Sequence, residues 1–168
     1  MNLIILTPIF NDWESFGKLS EALIKVAEAN NLNILRIVGV NDCSSETYDP
    51  DKFLDKPITI LNLNNNMGHQ RAIAIGLAYV NDHFDNFAGC VVMDSDGEDS
   101  YTFLPSLCKK MHDENGTKIV FAGRKKRIEG FMFRIFYRLY KILFWSLTGE
   151  SISFGNFSCI PRLLLKRL

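Results

Sequence analysis

Short apolar runs alternate with longer amphipathic segments along this chain, and this alternation limits the folds open to it more than any other feature. The runs are four to seven residues long, which is the length of a buried strand. Two intervening segments, Trp13–Ala29 and His69–Val80, carry apolar residues at helical spacing. The predicted strands are Leu3–Leu6, Ile34–Val40, Ile58–Leu63, Gly89–Met93 and Ile119–Ala122.

Strands that alternate with helices predict an α/β fold: an open, mostly parallel, Rossmann-like sheet with helices on both faces and right-handed crossovers. The chain has 168 residues, 47% of them hydrophobic, which is enough for one core. In the second helix we expect four side chains to face the sheet, namely Ala72, Ile75, Ala78 and Tyr79. Sheets of this class bind ligands beyond the carboxyl ends of their strands, so the functional site is predicted there.

The densest cluster of acidic side chains lies directly after the fourth predicted strand, in the segment Asp94-Ser95-Asp96-Gly97-Glu98-Asp99. Four carboxylates in six residues repel one another unless a cation neutralises them, and oxygen ligands of this kind favour Mg²⁺ or Mn²⁺. An acidic turn that caps the helix near Phe103 is the alternative interpretation. The segment alone leaves both open.

Polar residues also follow the other strands. Asn11-Asp12 comes after the first, Asn41-Asp42 after the second, and Asn66-Met67-Gly68 after the third. Each pair is also what an ordinary turn contains. Together, however, they place groups able to bind a base and a ribose along one edge of the sheet, and Gly68 opens a helix whose N-terminus attracts phosphate.

Five motifs occur in a fixed order between Leu3 and about Arg134. They are Thr7–Asp12, Val40–Ser44, Asn66–Gly68 with Ala72 and Gly76, Met93–Asp96, and Gly123-Arg124. This ordered set resembles the family 2 glycosyltransferases of the GT-A fold. It is most similar to the branch that contains dolichyl-phosphate mannose synthase and the bacterial polyprenyl-phosphate glycosyltransferases.

The resemblance implies a nucleoside pocket at the strand ends. Two departures from the family pattern bear on it: Asn41-Asp42 stands where the family usually has two aspartates, and Asp99-Ser100-Tyr101 lacks the proline that often follows the metal motif. Base contacts are therefore expected to differ. The expected nucleoside-binding residues are Thr7, Pro8, Asn11, Asn41, Asp42 and Gly68.

The resemblance also implies how the diphosphate is held. Asp94 binds substrate and, with Asp96, ligates the metal that bridges the diphosphate, while Glu98 stands where the branch has a metal-ligating Gln. Asp96 and Arg124 are the expected catalytic residues. Further positive charge on donor or acceptor phosphate is expected from two more side chains, Arg127 and Arg134.

The net charge of zero hides two unlike halves. Residues 1–117 hold 17 of the 19 acidic side chains but 8 of the 19 basic ones. In the basic part, seven of the 17 residues in 131–147 are aromatic, and Arg134, Arg138 and Lys141 recur on one helical face. This combination predicts a helix in a membrane interface, the alternative being a core helix with a solvated basic face. No nucleic-acid motif accompanies it, so no nucleic-acid partner is expected.

We expect residues 1–130 to form the nucleotide-sugar-binding GT-A core. Residues 131–168 would then hold the aromatic, basic amphipathic helix and the start of an acceptor-side region. Within it, Ile152–Ser158 is similar to the segment where relatives return to a sheet strand. Because family domains normally continue further, often into transmembrane helices, we expect the chain to be incomplete at its C-terminus.

The expected location is the cytoplasm, at the cytoplasmic face of the membrane. Met1–Leu6 has no Lys or Arg before its apolar run, so no signal peptide is expected. No segment reaches the roughly 20 apolar residues that span a bilayer. The four cysteines, Cys43, Cys90, Cys108 and Cys159, show no CxxC spacing and are expected to be free thiols.

Taken together, the sequence predicts a metal-dependent, inverting, hexosyl-type glycosyltransferase. It would move a sugar from a nucleoside diphosphate sugar to a lipid-phosphate or glycan acceptor at a membrane, with polyprenyl phosphate the favoured acceptor. A non-catalytic nucleotide-sugar-binding or scaffold module of the same fold is the alternative. A third interpretation is a different α/β nucleotide or phospho-acceptor protein that uses Asp42 or Asp94 in another way.

Overall fold

The computed structural model of the protein describes residues 1–123 and 155–167. Each strand and helix predicted within these residues is present, with ends shifted by up to three residues. The strands are β1 (Asn2–Ile9), β2 (Asn33–Asn41), β3 (Ile58–Asn62), β4 (Gly89–Val92), β5 (Val120–Phe121) and β6 (Ser158–Pro161). The α-helices are α1 (Trp13–Ala29), α2 (His69–His83), α3 (Leu104–Asp113) and α4 (Arg162–Leu165).

The six strands form one sheet in the order β3-β2-β1-β4-β6-β5. The first four strands are parallel, and β6 runs antiparallel to both β4 and β5. The sheet is therefore mixed and mostly parallel, which confirms the predicted α/β class. The chain moves outward in one direction from β1 through β2 and β3, then crosses back to place β4 on the other side of β1. A reversal of this kind leaves a crevice at the carboxyl ends of β1 and β4.

Both faces of the central strands are covered, as parallel sheets require. Residues Leu3 to Ile9 of β1 are all buried. On one face Phe16 of α1 packs near Ile9, while on the other Gly76 of α2 lies against Leu6. The predicted helices on both faces are confirmed.

The buried face of α2 is displaced from the predicted one. Ala72 is buried as expected, but Ala78 is exposed, and Ile73 and Val80 take the inward positions. The cause is Gly76: a Cβ placed there would lie 2.6 Å from Leu6 Cδ1 and 2.7 Å from Val40 Cγ2. The missing side chain lets the helix backbone approach the sheet, so the contact face is centred on the glycine rather than on the larger apolar residues.

Strand β6 returns to the sheet at the end of the segment where the sequence predicts a strand. Its position beside β4 is fixed by antiparallel pairing of Ser158 with Val92 and of Pro161 with Gly89. Contacts group Met1–Phe121 with Asn156–Leu168 as one compact unit, to which every element named above belongs. Residues 124–154 lie outside the described part of the chain, and the predicted domain boundary at residue 130 and the helix over 131–147 stay predictions.

None of the helices in residues 1–123 and 155–167 combines the length and the hydropathy of a membrane-spanning helix.

Candidate functional site

The carboxyl ends of β1 and β4 lie side by side, because the two strands pair in parallel with Leu6 opposite Val92. The loops that follow are tied together: the Ser95 hydroxyl donates to the Pro8 carbonyl at 3.3 Å. Ser95 is itself buried. The acidic segment therefore lies against the end of β1, at the reversal point where sheets of this class bind their ligands.

Asp42 holds the loop that precedes α2. Its carboxylate accepts a hydrogen bond from the Met67 N–H at 2.6 Å and another from the Gly68 N–H at 2.9 Å. Hydrogen bonds to an ionised acceptor are shorter and stronger than neutral ones. Asp42 is 4% exposed, so a buried side chain holds the backbone of the loop directly before α2.

Gly68 adopts φ +82° and ψ 150°, which a residue with a Cβ rarely adopts. No atom outside its immediate neighbours lies within 4 Å of where a Cβ would be, so the glycine serves the backbone angle rather than close packing. The Gly68 carbonyl accepts the N–H groups of Arg71 and Ala72 and starts the helix. The loop thus places the N-terminus of α2, with its partial positive charge, at the polar edge formed by the loops that follow β1, β2 and β4. We call this edge the rim.

A cavity of about 180 Å³ opens at these strand ends. Its lining combines an apolar floor with the Asp42 carboxylate and the start of α2, as a nucleoside next to a phosphate would require. Two larger cavities, of about 620 and 920 Å³, lie against α1, and the polar ends of β1 and β4 line neither. The smaller cavity is lined by Pro8, Ile9, Phe10, Asp42, Asn66, Gly68 and His69.

Three of the residues predicted to bind nucleoside therefore line one cavity: Pro8, Asp42 and Gly68. Thr7 does not line it. The Thr7 side chain is fully buried within the sheet, and its hydroxyl has no hydrogen-bond partner. A contact from Thr7 to a nucleoside stays a prediction.

Asn11 and Asn41 hold the rim together through their side chains. Asn11 Oδ1 accepts from the Ser45 hydroxyl at 3.2 Å and from the Glu46 N–H at 3.0 Å. Asn41 donates from Nδ2 to Asn62 Oδ1 at 2.9 Å and accepts at Oδ1 from the Ser44 N–H. Both amides join the loop after β2 to its neighbours, and their predicted contacts with a nucleotide stay predictions.

The acidic segment is a turn held by its own carboxylates. Asp99, which is 4% exposed, accepts from the Asp94 N–H at 3.1 Å, and Asp96 Oδ1 accepts from the Glu98 N–H at 2.9 Å. Gly97 between them has φ +79°. This turn presents Asp96 and Glu98 to solvent while the Asp94 side chain is 15% exposed.

The sequence predicts a divalent metal on Asp94, Asp96 and Glu98. Among residues 1–123 and 155–167, no three His, Cys, Asp or Glu side chains are grouped so that they alone would hold a metal ion. The donor set nevertheless suits one use of Mg²⁺ or Mn²⁺, since such ions are commonly held by one or two carboxylates together with substrate phosphates. Asp94 and Asp96, at the end of β4, fit that shared arrangement, and the part of Glu98 stays a prediction.

Asn156 is a rim residue that the sequence did not reveal. Its amide lies 2.7 Å from His69 Nε2 and 3.5 Å from Asp94 Oδ2, and its Oδ1 accepts from Gln70 Nε2 at 3.1 Å. The sequence predicts a helix that begins at His69, but no local signal joins His69 to a residue 87 positions away. Phe10, which is 53% exposed and lines the cavity, was also missed.

The predicted phosphate-binding residues Arg124, Arg127 and Arg134 lie outside the described residues. Their roles rest on the sequence.

A comparison with known proteins assigns the chain to a family. The sequence model described as Glycosyl transferase family 2 matches residues 4–162, which is most of the chain. The chain belongs to glycosyl transferase family 2. This match covers every motif that carried the resemblance, from the end of β1 to Arg124.

One relative of this family 2 chain is an uncharacterized glycosyltransferase, YkcC, of Bacillus subtilis (strain 168). It is 27% identical over 144 residues, a stretch that covers 80% of this chain and 42% of the relative. The chain thus spans less than half the length of this relative.

Two solved structures share the fold of this family 2 member. One is glucosyl-3-phosphoglycerate synthase from Mycobacterium tuberculosis in complex with Mn²⁺, UDP and glucosyl-3-phosphoglycerate, with a TM-score of 0.66, 13% identity and coverage of 99% of this chain and 59% of that one. The other is mannosyltransferase PcManGT from Pyrobaculum calidifontis in complex with GDP-Man and Mn²⁺, with a TM-score of 0.59, 17% identity and coverage of 98% and 46%. The fold is the GT-A fold.

Proposed function

We propose that this chain transfers a hexosyl group from a nucleoside diphosphate sugar to a membrane-associated acceptor, a polyprenyl phosphate, with inversion at the anomeric carbon. One observation carries the proposal: in a family 2 chain, the cavity formed by Pro8, Asp42 and Gly68 opens at the same rim as the Asp94–Asp96 turn. A nucleoside and its diphosphate need these two features side by side.

The nucleoside half of the donor would enter the cavity. Pro8 and Phe10 supply apolar surface there, while the Asp42 carboxylate fixes Gly68 and with it the start of α2. Backbone N–H groups at a helix N-terminus favour a phosphate group. This chain would therefore hold the diphosphate between α2 and the acidic turn after β4.

Asp94 and Asp96 are the residues that would hold Mg²⁺ or Mn²⁺ together with the diphosphate. A bound divalent ion supplies neutralisation of the charge that develops on a departing diphosphate. The two solved neighbours that carry Mn²⁺ support this proposal. Arg124, the residue that directly follows the described loop after β5, would add positive charge to the same leaving group.

The acceptor oxygen would attack the anomeric carbon from the side opposite the diphosphate. A phosphate acceptor is already anionic and needs no general base, which suits a rim where no described residue is assigned that role. The basic and aromatic residues of 131–147 support a lipid surface as the source of the acceptor. We propose the cytoplasmic face of a membrane as the location of the reaction. Arg127 and Arg134 would bind the acceptor phosphate.

Release of nucleoside diphosphate from labelled donors tests the proposal. The protein is incubated with radiolabelled UDP- and GDP-hexoses and Mn²⁺, with and without polyprenyl phosphate in vesicles. We expect one donor to give a labelled lipid and one equivalent of diphosphate, and only when the lipid phosphate is present. Release of diphosphate that does not depend on the lipid phosphate would contradict the acceptor class, whereas a chain that binds donor without turnover would favour the alternative, a non-catalytic nucleotide-sugar-binding module.

A further inference from the structure

Two residues, Asp42 and Cys43, form a sharp bend at the end of β2. Cys43 has φ +59°, in the left-handed region that few residues other than glycine adopt. The side chain of Asn41 closes this bend, because its Oδ1 accepts from the Ser44 N–H at 2.9 Å. Asp42 lies inside the bend, so the bond between Asn41 and Ser44 restricts the directions in which the Asp42 carboxylate can point.

The Asn41 amide is also bound at its other end. The Ser44 N–H is a donor, so the atom of Asn41 that faces it is the carbonyl oxygen, and this sets the orientation of the amide. The Asn41 Nδ2 then faces Asn62, whose Oδ1 accepts at 2.9 Å. Asn41 and Asn62 are direct partners in the parallel register of β2 and β3. The amide therefore ties the bend to the end of β3.

The loop after β1 holds the bend from the other side. The Ser44 hydroxyl accepts from the Asn11 N–H at 3.0 Å, and the Asp42 N–H donates to the Ile9 carbonyl at 2.9 Å. Between these two ties, the Asp42 carboxylate reaches the backbone of the loop before α2. A shift of the bend would move the carboxylate away from both N–H groups that it binds.

We propose that Asn41 is a positioning residue, whose amide holds the bend so that Asp42 fixes the start of α2 where the donor binds. This inference rests on the proposed function, in which the cavity and the N-terminus of α2 bind the donor. Asn41 acts through Asp42 and Gly68 and does not itself touch the nucleoside, in contrast to the contact that the sequence predicts. An amide suits this task because it accepts on one side and donates on the other.

The pairing of the two amides distinguishes positioning from direct contact. Asn41→Asp would still accept from Ser44, and the exposed Asn62 amide can turn and donate to the new carboxylate. Asn62→Asp would accept from Asn41 as Asn62 does. In Asn41→Asp/Asn62→Asp, however, no proton lies between the two carboxylates and they repel each other. Each single change should therefore keep the tie, and the two together should break it.

The first test reads the carboxylate bonds in the protein without ligand. Amide hydrogen exchange, followed by NMR at about pH 7.5 where carboxyl groups are ionised, gives the exchange rates of the Met67 and Gly68 N–H groups. We expect both to exchange about fivefold faster in Asn41→Leu and in Asn41→Asp/Asn62→Asp, but near the parent rate in Asn62→Asp. The Val38 N–H, in the middle of β2, should keep its slow exchange and report an intact sheet. Unchanged rates at Met67 and Gly68 would overturn the proposal.

The second test asks whether the bend matters for the donor. Calorimetry with Mn²⁺ and UDP or GDP should give a dissociation constant about tenfold higher for Asn41→Leu than for the parent, a loss in the range of one hydrogen bond. Asn41→Asp should recover most of this loss, whereas Asn41→Asp/Asn62→Asp should not. Asn64→Asp/Asn65→Asp is the matched control, because it adds the same charge to exposed residues of the loop after β3. Since exposed charges are screened, it should bind within about threefold of the parent.

The pattern across the variants separates the explanations. If Asn41→Asp binds as weakly as Asn41→Leu, the Asn41 amide contacts the nucleoside and the positioning role is wrong. If the control variant loses as much affinity as Asn41→Asp/Asn62→Asp, added charge accounts for the loss and the proposal is overturned. A parent that binds neither diphosphate would instead contradict the proposed function, and the exchange rates decide the role of Asn41 without any nucleotide.

Discussion

The Asp42 carboxylate accepts the Gly68 N–H at 2.9 Å and thereby fixes the first residue before α2. With the bond from the Met67 N–H, one buried side chain at the end of β2 determines the shape of the loop after β3. This link connects two motifs that lie 26 positions apart in sequence. It explains why Asp42 and Gly68 lie together at this rim.

Removing this carboxylate should weaken both folding and donor binding. We expect Asp42→Ala to lower the free energy of unfolding by about 3 kcal/mol, because two backbone N–H groups lose a charged acceptor. Urea unfolding measures the loss, and nucleoside diphosphate binding should fall with it. Asp113→Ala, at the exposed end of α3, removes a carboxylate without such bonds and should change stability by less than about 0.5 kcal/mol. Equal unfolding midpoints for the two variants would contradict the role of Asp42.

Two glycines should respond in opposite directions to the same substitution. Gly68→Ala should destabilise the protein by about 2 kcal/mol, because an L-residue is strained at φ +82°, ψ 150°. Gly17→Ala should stabilise it by about 0.5 to 1 kcal/mol, since Gly17 lies inside α1 and a Cβ there meets nothing within 4 Å. Thermal unfolding of both variants measures the difference. A stabilised Gly68→Ala protein would show that the backbone angle is not required.

The strands, the first two helices and the polar rim could be predicted because each depends on neighbouring residues: apolar runs of strand length, helical spacing, and polar residues where runs end. The inward face of α2 could not, because it depends on how closely Gly76 approaches Leu6 across the sheet. Motif recognition identified Asp42, but not that its carboxylate binds the backbone of Met67 and Gly68. Asn156 was missed for the same reason, since only antiparallel pairing of β6 with β4 places it at Asp94.

The four cysteines should differ sharply in reactivity. Cys43 is exposed, whereas Cys90, Cys108 and Cys159 are buried. Burial raises the pKa of the Cys90 thiol to about 12, and contact with Cys108 together with burial raises the pKa of Cys159. A raised pKa lowers the fraction of thiolate at neutral pH, and thiolate is the reactive form.

We therefore expect a thiol reagent at pH 8 to modify one group rapidly in the native protein and all four in urea. Absorbance of the released chromophore gives the count over time. Cys43→Ser is the matched variant and should abolish the fast phase. Two or more fast thiols in the native parent would contradict the burial of Cys90, Cys108 and Cys159.

Positive charge in 131–147 should carry membrane binding if this segment meets a lipid surface. We expect Arg134→Glu/Arg138→Glu/Lys141→Glu to reduce binding to anionic vesicles by at least tenfold, because each basic residue contributes about 1 kcal/mol near such a surface. Sedimentation with vesicles measures the bound fraction.

The control carries the same change of charge in the acidic half. Lys18→Glu/Lys25→Glu/Lys52→Glu alters three exposed residues and should sediment as the parent does. If both triple variants lose binding equally, net charge rather than the 131–147 segment is responsible, and the membrane-facing role of this segment is wrong.

In the proposed function, the cavity and the acidic turn bind one nucleoside diphosphate with a shared metal ion. Calorimetric titration of the parent and Asp96→Ala with UDP, GDP, ADP and CDP, each with Mn²⁺ and with a chelator, measures this binding. We expect the parent to bind at least one diphosphate and to bind it more tightly with Mn²⁺. Asp96→Ala, which alters an exposed residue and should keep the fold, should lose the Mn²⁺-dependent part of this affinity. Equal Mn²⁺-dependent affinity in the two proteins, or no binding by the parent, would contradict it.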